Sequence, residues 1–307
     1  MGDIKHRDKE NDPDRMMRKG DKLTKLSLTR WTSDWARATP YYEQAANLFK
    51  IAKKTEKAKE AHERAAMGQE RLASPWHAGK HMESAGALAK ELGLWNEVAD
   101  FFRRASELYI ESGKPQPAAE ALSRGGRALE DGLPDEAVKM YLEAVGIFEE
   151  EQREQMAFDT YRSATSLYIK LQRYTDAATM LLRWGQSADK CKATSTQCKT
   201  CVGAVIVYLY AQDFKQAEQC QNDLSMIDAY FQSEQNRFAE QLLNAYREGN
   251  PEEVKHVVKS SGVINHLDHM IIRLAKQLPV GDISHLAESS GAGGEAAAEG
   301  LEEDDLT

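Results

Sequence analysis

Apolar residues recur along this chain at three- and four-residue intervals, which is the spacing of one face of an α-helix. The pattern runs from about residue 16 to about residue 276, as in the positions Tyr42, Ala45, Ala46, Leu48, Phe49 and Ala52. Strictly alternating apolar and polar runs, which are typical of half-buried strands, do not occur, and proline is scarce at 8 residues. The chain is therefore predicted to be all-α.

Glycine and proline indicate where these helices end and begin. Gly93 follows one apolar run, and Gly132 with Pro134 separates the next two, as expected for glycine after a helix C-terminus and proline at the next N-terminus. The predicted helices lie near residues 15–27, 34–53, 55–73, 75–91, 94–112, 116–130, 134–150, 153–171, 173–189, 196–211, 213–227, 231–248, 250–260 and 265–277.

The helical pattern repeats about every forty residues. Short motifs that open a helix end at Ala58, Val98, Ala137, Ala177 and Ala217, so successive positions differ by 40, 39, 40 and 40. A second set of small residues lies thirteen positions before four of these motifs, at Ala45, Ala85, Ala164 and Ala204. Two such sets in one period indicate two helices in each repeat. The predicted fold is a right-handed TPR-like α-α superhelix, a solenoid of helical hairpins, with a C-terminal helical bundle.

Four segments follow from this pattern: a flexible charged arm at 1–14, the solenoid at 15–228, the helical bundle at 229–280, and a flexible Gly/Ala-rich acidic tail at 281–307. Large side chains that follow the opening motifs are predicted to fill the space between hairpins rather than to line a cofactor site. They are Phe102, Tyr109, Tyr141, Phe148, Leu181 and Trp184.

The net charge of −9 over 307 residues is concentrated at the C-terminus. Residues 285–307 hold seven acidic residues and no lysine or arginine, so the remainder is close to neutral. A nucleic-acid-binding protein normally has a strong basic excess, and nucleic acid is therefore not an expected partner. The first thirty residues are charged and no apolar run is long enough to span a bilayer, so a cytosolic location is expected.

A search for catalytic or metal-binding patterns yields no site. Cys198 and Cys201 form a CxxC pair without the second pair that a structural zinc site needs, and they are expected to be ordinary reduced helix residues. His77 and His81 are four residues apart but no third ligand is suggested nearby, and Gly125 and Gly126 lie in a helical repeat, where close packing is the better interpretation than a phosphate-binding loop. We expect no enzymatic activity, no metal, no cofactor and no small-molecule substrate.

Two features stand apart from the repeat. The turn after the first helix carries Leu28, Trp31 and Trp35, which either cap the open end of the solenoid or enter a membrane interface beside several bases. The chain ends in an acidic run before Leu306, which is either a solubilising tail or a peptide ligand with an apolar anchor.

Several segments resemble a known family, the soluble N-ethylmaleimide-sensitive factor (NSF) attachment proteins, or SNAPs. Residues 41–53 (YYEQAANLFKIAK) are similar to the second helix of that family, and Leu267-Asp268 followed by 272–276 (IRLAK) is similar to its last helix. The first turn and residues 207–214 (VYLYAQDF) look most like the gamma type. The resemblance covers about residues 20–280 and the acidic ending.

This resemblance implies an adaptor without an active site. It would bind the four-helix SNARE bundle (syntaxin-type SNAREs), recruit and stimulate the hexameric NSF ATPase, and contact anionic membrane peripherally on endomembranes, vesicles and the Golgi. The family pattern places ATPase binding at Glu302, Glu303, Asp304, Asp305 and Leu306, and membrane attachment at Leu28, Trp31 and Trp35. Several positions that are basic and face the SNARE bundle in the alpha type are acidic or neutral here, as at Glu120, Asp159 and Ser163. Arg127, Arg162 and Lys199 are the weaker substitutes and become the SNARE-facing candidates. The alternative is a generic TPR-like scaffold for a chaperone or transport complex.

Overall fold

The computed structural model describes residues 12–26 and 31–286, and no β-strand occurs in these two ranges. The helices are α1 (Pro13–Thr24), α2 (Trp35–Ile51), α3 (Thr55–Arg71), α4 (Pro75–Glu91), α5 (Trp95–Glu111), α6 (Pro115–Leu129), α7 (Pro134–Glu150), α8 (Phe158–Lys170), α9 (Tyr174–Lys190), α10 (Thr194–Tyr210), α11 (Phe214–Leu224), α12 (Asp228–Phe231), α13 (Glu234–Arg247), α14 (Pro251–Ser260) and α15 (His269–Ala275). Two 3₁₀ segments, Glu154–Ala157 and Gly262–His266, lie between them. The predicted all-α class and the succession of packed helical hairpins are confirmed.

The structural module is a helix of 17 residues followed by a turn of three, as α2, α3, α4 and α5 show. Each of these turns contains a residue with positive φ, a left-handed conformation that closes the helix C-terminus. Such residues recur at Lys53, Ala73, Gly93, Gly113, Gln152, Gln172, Lys192 and Gln212. Two modules of twenty residues therefore make one forty-residue repeat.

The single 39-residue step has its origin in the turn between α6 and α7. Helix α6 has only 15 residues, and α7 begins 19 residues after α6 rather than 20. Gly132 in this turn packs under the indole of Trp95, where an added Cβ would lie 2.2 Å from the ring. Glycine is required at this position because the ring leaves no space for a side chain.

The contacts divide the chain into two compact units, Met1–Ser163 and Ala164–Thr307, and the division falls inside α8. In the first unit, successive helices from α1 to α7 pack against one another. The predicted close-packing role of two glycines is confirmed there. A Cβ on Gly125 would lie 2.7 Å from Cβ of Phe102, and one on Gly126 would lie 2.8 Å from the ring of Tyr141.

The second unit is built around α10, which packs against α9, α11, α12, α13 and α15. This helix is buried on nearly all sides from Gln197 to Leu209, as expected for a helix that is apolar around its whole circumference. A buried polar network joins its neighbours: Gln221 donates to Asn236 at 2.5 Å and accepts from the hydroxyl of Tyr230 at 2.9 Å.

The predicted core residues are buried, with Phe102, Tyr109, Tyr141, Phe148, Leu181 and Trp184 all at most 6% exposed. The helix predictions differ from the structure mainly near the ends. The predicted helix 231–248 corresponds to α13, which begins at Glu234 because Ser233 caps it by accepting from the amide of Asn236. The short helix α12, which lies mostly before residue 231, was not predicted. The pair Asp12-Pro13 begins α1, since aspartate caps the helix and proline suits its first position.

Candidate partner-binding surfaces

Helix α1 is fixed to the first hairpin by close packing and hydrogen bonds. The ring of Tyr42 lies against Gly20, where an added Cβ would be 2.6 Å from it. The hydroxyl of Tyr42 donates to the Asp21 carboxylate at 2.9 Å, and Arg64 pairs with the same carboxylate oxygen at 3.1 Å. The end of α1 is therefore held in place where the chain enters the first turn.

The first turn separates its two tryptophans. Its two ends are joined because the Ser33 hydroxyl donates to the Thr24 carbonyl at 2.6 Å and the Asp34 amide donates to the Leu23 carbonyl at 3.0 Å. Trp35 is the first residue of α2, is half-buried, and packs with Met17 and Leu23 on the buried cluster of Ala38, Tyr42 and Ala65. In contrast, Trp31 is 87% exposed.

An exposed apolar residue that sequence reasoning did not assign lies beside this turn. Leu26 is 60% exposed and follows the exposed base Lys25. Leu28, the third residue of the predicted membrane-attachment loop, lies outside the described residues. Leu26 and Trp31 are therefore both exposed at the first turn, while Trp35 packs against the core.

The predicted SNARE-facing residues are distributed over both units. In the first unit, Arg127 on α6 and Arg162 on α8 are both exposed. Their helices are joined by a hydrogen bond of 2.8 Å between the hydroxyls of Ser123 and Thr160. Arg162 also pairs with Asp159 at 2.7 Å, so part of its charge is neutralised on its own helix.

Lys199 lies in the second unit on α10 and is half-buried. The predicted ATPase-binding residues Glu302, Glu303, Asp304, Asp305 and Leu306 lie outside the described part of the chain.

The histidine pair that the structure forms is not the pair that the sequence spacing suggested. His81 approaches His62 on the neighbouring helix, with their Nδ1 atoms 3.1 Å apart, and its Nε2 lies 3.2 Å from Glu43. His77 instead bonds to the Ser74 hydroxyl at 2.9 Å. Burial lowers the pKa of His62 to about 4, and the adjacent His81 contributes to this shift.

The four cysteines are free thiols, and Cys198, Cys201 and Cys220 are buried. Across residues 12–26 and 31–286, no group of three or more His, Cys, Asp or Glu side chains is arranged to hold a metal ion. Likewise, none of the helices in the described ranges is both long enough and apolar enough to cross a membrane.

Comparisons with known proteins extend over nearly the whole chain. The family model described as "Soluble NSF attachment protein, SNAP" matches residues 11–278. A "Gamma-soluble NSF attachment protein" from Arabidopsis thaliana is 56% identical over 297 residues, which cover 97% of this chain and 99% of the relative. The protein of the same name from Dictyostelium discoideum is 27% identical over 280 residues, covering 91% of this chain and 86% of the relative. Among solved structures, BtubC (BKLC) from P. vanneervenii has a TM-score of 0.39 at 18% identity, covering 71% of this chain and 89% of that one.

Proposed function

Because the chain belongs to the soluble NSF attachment protein family, we infer that it is an adaptor that binds SNARE complexes and recruits the NSF ATPase for their disassembly. The observation that carries this function is the family match over residues 11–278, together with 56% identity to a gamma-type member across 97% of the chain. A generic helical-repeat scaffold for another client is the less favoured alternative, because it leaves that identity unexplained.

The adaptor function is tested by capture of the chain on an immobilised SNARE bundle, with and without the ATP-free hexamer. We expect capture on the bundle and a ternary complex when the hexamer is added. Failure to bind in every combination would refute the assignment.

The SNARE-facing role of Arg127 is tested by a charge reversal, Arg127→Glu, which should weaken capture. Lys139→Glu is the control, because Lys139 is likewise exposed, on α7, and pairs with Glu136 on its own helix. Equal binding by both variants would remove Arg127 from the SNARE-binding surface.

We propose that the C-terminal tail binds and stimulates the ATPase. Its carboxylates at Glu302, Glu303, Asp304 and Asp305 are suited to a basic pocket, and Leu306 supplies an apolar anchor. Leu306→Ala should lower the stimulated ATPase rate and leave capture by the SNARE bundle intact. Leu301→Ala is the matched control, because it removes the same side chain from the other end of the acidic run. An ATPase rate that is unchanged by Leu306→Ala would refute this role.

We also propose that the first turn contacts anionic membrane, which would place the adaptor on endomembranes, including vesicles and the Golgi. This proposal is supported by the exposure of Trp31 and Leu26 beside Lys25. Indole rings favour the membrane interface, and lysine is attracted to anionic lipid. Arg127, Arg162 and Lys199 are proposed to contact the SNARE bundle, where several weak ion pairs would add together.

A further inference from the structure

A cavity of about 440 Å³ in the second unit lies between α14, the 3₁₀ segment Gly262–His266 and the residues that follow α15. Its wall includes three buried apolar side chains, Val258, Ile264 and Leu278. Its rim includes three exposed lysines, Lys255, Lys259 and Lys276. The cavity therefore combines an apolar wall with a basic rim, and neither part belongs to the surfaces proposed above.

The basic charge of the rim is not balanced within the cavity. None of the described residues that line it is acidic. Lys255 pairs with Glu252 on its own helix at 2.8 Å, but Lys259 and Lys276 form no ion pair with another residue of the described ranges. Three other cavities of similar size, about 570, 460 and 420 Å³, each include at least two carboxylates in their lining. Of these four cavities, this one is the site that attracts an anion.

The acidic segment at residues 301–306 (LEEDDL) has the complementary chemistry. Its four carboxylates are suited to the lysines of the rim, with which they can form charge-assisted hydrogen bonds. Leu301 and Leu306 flank the carboxylates, and either would remove apolar surface from water by packing on the wall of the cavity. A ligand with charge alone, such as inorganic phosphate, would leave that wall uncovered.

The acidic segment starts close enough to reach this cavity. Ser284 packs against Gly249, where an added Cβ would lie 3.1 Å from Cα of Ser284. Gly249 lies just before α14, and at about 1.5 Å per residue the lysines of α14 are about 10–15 Å further along that helix. Fifteen residues lead from Leu286 to Leu301, and a chain of that length spans up to about 50 Å. The available length therefore exceeds the distance that has to be covered.

We propose that the acidic segment docks in this cavity of the same chain, with its carboxylates on the three lysines and a leucine on the apolar wall. Three exposed ion pairs and one leucine correspond to a dissociation constant of about 1 mM, which is about the effective concentration of a segment on a short tether. About half of the molecules are then docked. The same carboxylates and Leu306 are proposed above to bind the ATPase, so a docked segment is withheld from it. This competition, unlike the docking itself, rests on the proposed function.

Docking is tested by carbodiimide cross-linking of the full chain, which joins a lysine to a carboxylate when the two are in contact. A mixture of isotope-labelled and unlabelled chains distinguishes links within one chain from links between two copies in mass spectra. We expect links within one chain between the lysines of the rim and residues 302–305 at low salt, and loss of most of them at about 0.5 M NaCl. Absence of these links, or links between two copies only, would overturn the proposal. Equally frequent links to Lys215, an exposed lysine of the same unit that does not line the cavity, would overturn it as well.

A charge reversal in the rim tests whether the lysines act together. Lys276→Glu should reduce the links from Lys255 and Lys259 to the acidic segment by about threefold or more, because one attractive charge becomes repulsive. Lys215→Glu is the matched control and should leave these links unchanged. Equal yields in the two variants would contradict recognition of the segment by the rim.

The apolar contact is tested by methyl NMR on the full chain, without any lysine chemistry. The methyl signals of Ile264 and Leu278 should differ between the natural chain and a variant that carries both Leu301→Ala and Leu306→Ala. Identical signals would show that no leucine of the segment covers the wall, and would overturn the proposed mode of docking.

The competition has a separate assay. If about half of the segments are docked, Lys276→Glu should increase the apparent affinity for the ATPase hexamer by about twofold and leave the maximal stimulated rate unchanged. An unchanged affinity would overturn the competition. The cross-linking contains no ATPase, so its outcome is independent of the proposed function. Links without ATPase stimulation would refute the ATPase role of the tail and support docking, whereas stimulation without links would support that role and overturn docking.

Discussion

The two tryptophans of the first turn should respond differently to the same substitution. Trp35 is half-buried on a cluster that includes Tyr42, whereas Trp31 is 87% exposed. A tryptophan side chain has about 150–250 Å² of surface, and its removal from a full core costs about 3–5 kcal/mol. For a half-buried ring, we expect Trp35→Ser to reduce the free energy of unfolding by about 2–3 kcal/mol, which lowers Tm by about 4–10 °C.

Trp31→Ser should leave Tm unchanged, because its ring has few contacts to lose. Its effect should instead be on membrane attachment. Nearly all of the ring surface is available for burial in lipid, and at about 25 cal/mol per Å² full burial corresponds to about 4 kcal/mol. Partial burial at the headgroup level would give about half of that, a loss of about 30-fold in affinity for anionic vesicles.

The assay combines thermal unfolding with co-sedimentation on vesicles that contain phosphatidylserine, at two salt concentrations. Met226→Ser is the control, since Met226 is 84% exposed in the second unit and is not part of the first turn. If Trp31→Ser lowers Tm as much as Trp35→Ser, both rings cap the helices, and the assignment of different roles to the two tryptophans is wrong. If vesicle binding is unaffected by Trp31→Ser, the membrane contact is refuted.

Two further predictions concern stability. Ala73 has φ 54°, a conformation that costs an L-residue about 1–2 kcal/mol, so Ala73→Gly should stabilise the fold by about 0.5–1 kcal/mol after the entropy of glycine is subtracted. The control is Ala87→Gly at an exposed position inside α4, which should destabilise the fold by about 1 kcal/mol. If the two glycine variants change the free energy of unfolding in urea equally, the reasoning about φ at Ala73 is wrong. Because the pKa of His62 is about 4 in the folded chain and 6.5 for an unperturbed histidine, the unfolded chain binds more protons between these values. The contribution of His62 to stability should therefore be full above pH 6.5, and the free energy of unfolding should fall by up to about 3 kcal/mol toward pH 4. His62→Gln should flatten this pH dependence in thermal melts recorded across the pH range. An unchanged slope would mean that other groups cause the pH dependence.

The helices could be predicted from the sequence because their signals are local. Apolar spacing and the forty-residue recurrence depend on residues that are neighbours on one helix. The one irregular step in this recurrence also has a structural counterpart. The step of 39 residues corresponds to the shortened module at α6, after which Gly132 lies under Trp95. The twenty-residue module was harder to recognise, because six of its left-handed turn positions are occupied by lysine, alanine or glutamine rather than glycine.

The candidate surfaces were only partly predictable, because exposure depends on contacts between helices. Trp31 and Trp35 are the same residue type four positions apart, yet only Trp35 begins a helix and packs, like Met17 and Leu23, against a buried cluster. His62 and His81 are 19 residues apart, which is close to one module, and neighbouring antiparallel helices can bring such residues together. Spacing within one helix had pointed to His77 and His81 instead. In a stack of modules, residue pairs about one module apart are therefore informative candidates for contacts between helices, in addition to pairs within one helix.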